Sequence, residues 1–490
     1  MVGVPGKSQG CNTCRRRKVK CDGTKPQCRR CIASQKQCEG YDRYPVFIIR
    51  DQTGLQRRRP LEEARPTTTT TTTTPQPTVQ TPNTILLSRP SSTQLNDAQL
   101  VSSFWDRYSA DPTRSSRVRE PAWLYHSLCI TTPTTTLRLA LLSLAYTRTG
   151  RLQNNQALLT KGQELYCQAL RSMQTALYDP QLMRSDDTLA AARCMVLYES
   201  FESTSGDMGA WQNHIKGIAR IIQLRGPECH CDPLPKSILE SMRYNAMVVC
   251  LTTKESSFLG GSDWLMRPWT ETPKDFEQQL YDYGFTLANL FRRGEEACRC
   301  FDRGVILQIF EEIRDCYSGM GILREELMAF HRDHDHSNRR GLRDPSSSKP
   351  IETGSAFDLA LLLALELSFS IFAVALIDQC PADIFDQRPD LRAEISAHTD
   401  TSRRRDLSRL VIRLVHRCLG AGFEHARQRL IFPLNVVRWE VRKTPEDSAR
   451  VKVLFERIAS GNQFRIARSV HDAGCSTLPS LVTRAERSLR

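Results

Sequence analysis

Six cysteines near the start constrain this chain more than any other feature of its 490 residues. Cys11, Cys14, Cys21, Cys28, Cys31 and Cys38 are spaced C-x2-C-x6-C-x6-C-x2-C-x6-C, two near-copies of one half-motif. Each half is a tight pair of thiols followed, six residues further on, by a third. Tetrahedral zinc takes four ligands, with Zn–S of about 2.3 Å. Two separate four-sulfur shells would need eight thiolates; six suffice where two of them serve both metals. The spacing therefore predicts a cluster of two Zn2+ per chain. The competing readings are a disulfide knot and six incidental thiols. Residues 1–10 carry no apolar run ahead of a cleavage site, so neither a secretory signal nor an oxidising route is expected. The doubled spacing argues against incidental thiols. With 18 cysteines kept reduced, the chain reads as intracellular.

The charge is concentrated on the same segment. Residues 1–60 hold 15 Lys+Arg against 4 Asp+Glu, +11 of the total +14, which leaves +3 for the other 430 residues. A field confined to a short segment suggests that this segment meets a polyanion. Between Cys14 and Cys21 lie Arg15, Arg16, Arg17, Lys18, Val19 and Lys20, five cations and one aliphatic residue. A short helix pinned by zinc at both ends would fan these side chains over one surface. Six thiolates with two Zn2+ carry −2, so about +9 remains on residues 1–60.

Residues 11–41, CNTCRRRKVKCDGTKPQCRRCIASQKQCEGY, resemble the fungal binuclear zinc-cluster domain of transcription regulators. All six cysteines match that spacing, as do the basic run, Asp22 after the third cysteine and Pro26 in the connecting loop. The resemblance implies that Cys11 and Cys28 bridge, that Cys14 and Cys21 complete one zinc shell, and that Cys31 and Cys38 complete the other. It also places Arg17 and Lys18 nearest the bases of CGG-type triplets in double-stranded DNA. Arg15, Arg16 and Lys20 are then phosphate contacts. The basic run, with Arg57, Arg58 and Arg59 as a second patch, fits nuclear import.

Residues 42–98 read as a disordered basic and Thr/Pro-rich linker. Thr67 to Thr74 form an unbroken threonine run between Pro66 and Pro75, followed by Pro77, Pro82 and Pro90. Val46, Phe47, Ile48 and Ile49 are consecutive, and no heptad is sustained, so no coiled coil is expected there. Any pairing of two chains into a homodimer is instead expected to run through the helical domain; the sequence leaves monomer or dimer open.

From residue 99 to 490 the pattern predicts one all-α domain, so the fold class is mainly α behind a small zinc cluster. Leu158, Leu159, Leu165, Cys167, Leu170, Met173 and Leu177 mark one amphipathic segment. Ser185, Asp186 and Asp187 offer a cap and first-turn acids. Trp211, Ile215, Ile218 and Ile222 recur at helical spacing up to a stop at Gly226-Pro227. Leu407, Leu410, Val411, Leu414, Val415, Cys418 and Leu419 form the clearest stripe.

This region resembles the fungal-specific transcription factor domain through Tyr198-Glu199, Trp211, His214, Gly217 and Leu224-Arg225-Gly226-Pro227. Phe258-Leu259, Trp264, Pro268-Trp269 and Phe432-Pro433-Leu434 fit the same pattern. Each also has a structural reading, with the tryptophans as packing anchors, Gly226 as a helix stop and His214 as a satisfied core histidine. Regulators of this family often serve secondary-metabolite gene clusters, and the transcription machinery is the implied partner beside DNA.

Several other features carry chemistry only at first sight. Leu359–Ile377 is a 19-residue apolar run long enough for a bilayer. Glu366, Ser368 and Ser370 interrupt it, which favours a buried bundle helix over a membrane span. His331, Asp333, His334, Asp335 and His336 read as an exposed loop. Cys229-His230-Cys231 lacks further partners at zinc spacing, and Gly6-Lys7-Ser8 lacks the first glycine of a phosphate loop. No catalytic constellation is visible. The expected function is a zinc-dependent, sequence-specific DNA-binding regulator. The alternative is a docking protein or an enzyme whose active site in the helical domain carries no recognisable motif.

Overall fold

The chain divides into two units, Met1–Leu87 and Ser88–Arg490. A computed structural model describes residues 10–11, 13–14, 17, 19–24, 27–38, 92–109, 122–206, 208–253, 255–340, 353–381, 383–420, 427–460 and 464–472. At 92–95, 109, 331–340 and 353–355 it describes the backbone alone. Most of the expected linker, residues 42–91, lies outside the described residues. No strand occurs among them.

The first unit contains helix α1 (Arg29–Ala33) and the turns around its cysteines. The second is built from α2 (Ser92–Ser109), α3 (Ala122–Leu128), α4 (Thr135–Leu152), α5 (Gln156–Tyr178), α6 (Asp186–Glu202), α7 (Gly209–Arg225), α8 (Pro233–Thr253) and α9 (Ser262–Met266). It continues with α10 (Phe276–Cys300), α11 (Arg303–Arg340), α12 (Thr353–Ile377), α13 (Pro389–Thr399), α14 (Thr401–Gly420), α15 (Ile431–Val441), α16 (Pro445–Ala459) and α17 (Ile466–Asp472). Helix α2 begins ahead of residue 99, inside the stretch expected as linker. Pro90 is the last proline before it, and SSTQLNDAQL can then wind; Phe104 and Tyr108 anchor the helix by burying and stacking at 5.6 Å.

The sequence caps operate where their chemistry places them. Ser185 Oγ accepts the Thr188 N–H at 3.2 Å, with Asp186 and Asp187 in the first turn of α6. Asn155 accepts the N–H groups of Ala157 and Leu158 at the start of α5. On α7, Trp211, Ile215, Ile218 and Ile222 are all buried, each contributing on the order of 1.5–3 kcal/mol. Gly226, at φ +86°, ends that helix in a backbone conformation that suits glycine. Helices α4 and α5 form a tight antiparallel pair. A Cβ on Gly162 would lie 2.1 Å from Thr147 Oγ1 and 2.6 Å from its backbone nitrogen, so only glycine permits the approach.

Two helices lack a polar face, and each becomes the centre of a group of neighbours. Every residue of α6 from Thr188 to Glu202 is buried, packed against α3, α4, α5, α7, α8 and α17. Helix α12 is ringed by α10, α11, α13, α14 and α15. Packing of α8 on α10 joins the two groups, and their buried side chains form one continuous core.

Helix α12 contains the apolar run 359–377 and is the one helix among the described residues long and apolar enough to cross a membrane. Its interior position explains the composition, and each polar interruption is answered. Glu366, only 4% exposed, is paired with Arg324 of α11 and, at 2.8 Å, with Arg403 of α14. Ser368 donates to the Ala364 carbonyl at 2.8 Å. Ser370 shares a 2.8 Å hydrogen bond with Tyr317, whose ring stacks on His398 at 4.3 Å.

One expectation is corrected. Residues 331–340 continue helix α11 to Arg340 and do not form a loop. From Ile322 to Arg340 there is neither glycine nor proline to break the helix, and polarity alone does not do so.

Candidate metal centre and nucleic-acid interface

The six cysteines of the first unit gather around one point. The sulfurs of Cys11, Cys14, Cys21 and Cys28 all lie within 4.8 Å of one another, and so do those of Cys11, Cys28, Cys31 and Cys38. Cys11 and Cys28 belong to both sets. The Sγ···Sγ separations are 3.6 Å for Cys11–Cys28 and Cys14–Cys28, and 3.8 Å for Cys11–Cys31 and Cys14–Cys31. Sulfurs on one tetrahedral zinc sit about 3.8 Å apart, whereas a disulfide would bring them to about 2.05 Å. The three separations within a set, Cys11–Cys28, Cys14–Cys28 and Cys11–Cys31, fit metal coordination, and all six cysteines are free of disulfides.

The donor set points the same way. Cys11, Cys14, Cys28 and Cys31 are fully buried. Burial pushes the Cys11 thiol up to about 12 and raises those of Cys14 and Cys28 as well. Sulfurs gathered away from water stay protonated unless a cation compensates them as thiolates. A metal ion of soft-ligand preference supplies that compensation, and the residues present fit zinc.

The backbone repeats with a step of seventeen residues. Cys11 N–H donates to Cys21 Sγ as Cys28 N–H donates to Cys38 Sγ, both at 3.4 Å. Cys14 N–H donates to Cys11 Sγ at 3.4 Å as Cys31 N–H donates to Cys28 Sγ at 3.3 Å. Val19 N–H reaches the Cys14 carbonyl at 3.0 Å as Lys36 N–H reaches that of Cys31 at 2.9 Å. The first cysteine of each half thus accepts, through its sulfur, the N–H three residues further on, and in the second half this makes Cys28 the N-cap of α1. Asp22 ties the halves together: its Oδ2 accepts the Arg29 N–H at 3.0 Å and the Thr24 hydroxyl at 2.9 Å. Desolvation works against the carboxylate, but these two donors prevail and lower its pKa.

Of the expected DNA contacts, Arg17 and Lys20 are exposed, while Arg15, Arg16 and Lys18 lie outside the described residues. Arg17 Nη1 donates to Ser34 Oγ at 2.9 Å. The second half carries cations that the sequence reading did not single out: Arg29, Arg30 and Lys36 are all exposed. The seventeen-residue repeat was the signal that could have found them, since it places the second half beside the first as an equivalent surface.

In the helical unit the family-like residues form packing and hydrogen-bond contacts. Tyr198 stacks on Tyr166 at 3.8 Å. The Tyr166 hydroxyl donates to Glu199 Oε1 at 2.7 Å and lies 3.0 Å from His214 Nε2; Thr204 donates its hydroxyl and its N–H to Glu199. Burial lowers the His214 pKa, so it sits there as a neutral, hydrogen-bonded side chain. Trp211 Nε1 donates to Ser200 Oγ at 3.1 Å, and Arg225 clamps the start of α6 through Asp186 and the Arg184 carbonyl. Phe258 meets Trp264 edge-on at 4.9 Å, and Trp269 Nε1 donates to the Trp264 carbonyl. Phe432, Pro433 and Leu434 are buried in α15. His230 is buried with Nδ1 3.1 Å from the Pro235 carbonyl, and among the described residues Cys229 and Cys231 bring it no metal-binding set.

Comparison with known proteins agrees with this geometry. Residues 9–45 match the fungal Zn(2)-Cys(6) binuclear cluster domain, and residues 116–289 match the fungal specific transcription factor domain. A protein of Emericella nidulans is 30% identical over 115 residues, 24% of either chain. A transcriptional regulatory protein of Schizosaccharomyces pombe is 58% identical over 36 residues, 7% of either chain. The aspercryptin biosynthesis cluster-specific transcription regulator of Emericella nidulans is 54% identical over 39 residues, 8% of this chain and 6% of that one. The chain thus spans about a quarter or less of the length of these curated relatives. No solved structure matches it. Both domains are thus matched on one chain, the fungal Zn(2)-Cys(6) cluster domain first and the fungal specific transcription factor domain after it.

Proposed function

We propose that this protein is a zinc-dependent, sequence-specific DNA-binding transcription regulator that reads CGG-type triplets in the major groove. The observation that carries the reading is the pair of four-sulfur sets sharing Cys11 and Cys28, next to a run of cations. Two Zn2+ per chain, held with Cys11 and Cys28 as bridges, would balance the buried thiolates and fix the basic run as a surface. Metal binding supplies the folding energy of such a module.

Arg17 and Lys18 are the base readers in this proposal, donating to guanine O6 and N7. Arg15, Arg16 and Lys20 neutralise phosphates and set the register without carrying sequence information. The protein works in the nucleus, with the transcription machinery as its second partner. One triplet recurs about once in 64 positions, too often for useful selectivity. Two chains therefore pair through the helical unit, each contributing one triplet contact and raising the effective concentration of the other. The name of the Emericella nidulans cluster-specific relative supports a biosynthetic gene cluster as the target set.

Selection from random duplexes with the full zinc-loaded chain tests the reading. Enrichment of paired CGG triplets, abolished by a zinc chelator, is expected. Chelator-resistant binding, or enrichment without a triplet, would refute it.

A further inference from the structure

We infer that Ser34, in the second half of the cluster, positions Arg17 of the first half for its DNA contact. The inference rests on the proposed role of Arg17 and assigns sequence selectivity to a residue outside the basic run. Arg17 and Ser34 are seventeen residues apart, the step that relates the two halves. The hydrogen bond from Arg17 Nη1 to Ser34 Oγ, 2.9 Å long, thus joins equivalent positions where the halves meet.

Ser34 is itself held firmly. Its hydroxyl faces the Arg30 carbonyl at 2.9 Å and the Cys31 carbonyl at 3.2 Å, donating its one proton there. The Oγ lone pairs are left to accept from Arg17. The turn is locked as well: Gln35 takes φ +52°, its N–H donates to the Ile32 carbonyl at 3.0 Å, and Lys36 N–H donates to the Cys31 carbonyl at 2.9 Å. This is the paired closure that ends many helices, and Cys31 anchors it to the metal centre. On the other side, Arg17 N–H donates to the Thr13 carbonyl at 3.1 Å.

Arginine presents five N–H donors in a planar fork, and ordering its long side chain costs conformational entropy. A guanidinium already tethered by one donor has lost part of that freedom before DNA arrives, and its other donors remain for a base edge. The second half carries serine where the first carries arginine. Two equivalent positions are thereby used unequally, one to contact DNA and one to aim the contact.

The test uses the full zinc-loaded chain at one fixed salt concentration. Affinity for a CGG-containing duplex and for a scrambled duplex gives a specificity ratio for wild type, Ser34→Ala, Ser34→Thr, Arg17→Ala and the Ser34→Ala/Arg17→Ala double variant. Ser34→Ala is expected to lower the ratio by about threefold to tenfold. Ser34→Thr, which keeps the hydroxyl, should restore it. In the Arg17→Ala background Ser34→Ala should change nothing further. Zinc content, measured in parallel, should equal that of wild type. The inference is overturned if Ser34→Ala leaves the ratio intact, lowers it equally without Arg17, or loses zinc. A wild-type chain that does not distinguish the duplexes overturns the DNA-binding reading itself, a separate outcome from any of these.

Discussion

The zinc-cluster unit and the helical unit solve the folding problem by opposite means. Among its described residues the first has a five-residue helix and a buried apolar set of four cysteines, with Val19, Cys21 and Cys38 packed against them. So small a set cannot offset chain entropy without metal–sulfur bonds. The second buries a continuous core from Phe104 to Val470 around the two apolar helices α6 and α12. The difference separates what each unit tolerates: one depends on ligand geometry and hardly at all on apolar burial, the other the reverse.

Metal removal should expose the contrast with the largest effect. A zinc chelator in excess should abolish DNA binding completely while leaving the helical circular dichroism of the full chain nearly unchanged. Loss of both together would mean that the helical unit depends on the cluster. The converse perturbation is Glu366→Ala, which leaves Arg324 and Arg403 facing a buried gap. It should lower the stability of the helical unit by about 2–4 kcal/mol, the half-exposed arginines softening the loss. Zinc content should not move.

A smaller effect is expected from acid. Burial lowers the His230 pKa to about 4, against an ordinary value near 6.5. Between those values the unfolded chain binds a proton that the folded one refuses, so stability falls as pH drops from about 6.5 towards 4. His230→Asn should flatten that slope, a change on the order of 1–3 kcal/mol across the window. An unchanged slope would assign it to other groups. Effects of similar size concern the DNA surface. Lys18→Ala should cost about 1–3 kcal/mol on the preferred site and erode the preference for it. Lys20→Ala should weaken all duplexes alike and reduce the salt slope by about one. Equal behaviour of the two variants would erase the distinction between base reader and phosphate contact.

The two units also differed in how legible they were. In the cluster, a linear count of thiols reaches the sharing of two cysteines, and the family resemblance names Cys11 and Cys28, the two that both sulfur sets contain. The contact from Arg17 to Ser34 was hidden because it depends on how one half folds against the other. In the helical unit, Ser185 and Gly226-Pro227 announced helix boundaries through local chemistry, and the spacing from Trp211 to Ile222 announced a buried face. The run at 359–377 was legible as a buried helix because Glu366 interrupts it, yet its partners lie 42 and 37 residues away and no local pattern names them. Residues 331–340 misled because polarity resembles a loop when no breaker is counted. The hydrogen bonds from Tyr166 to Glu199 and His214 span 33 and 48 residues, and only the packing of α5, α6 and α7 creates them.

The central claim is that six thiolates hold two metals by sharing Cys11 and Cys28. Native mass spectrometry of the full chain tests it most directly. The account predicts two zinc ions per chain for wild type, and Cys11→Ala or Cys28→Ala at least as depleted as Cys38→Ala, since each bridge serves both shells. One zinc ion per wild-type chain, or a Cys11→Ala variant that still holds two, would contradict it.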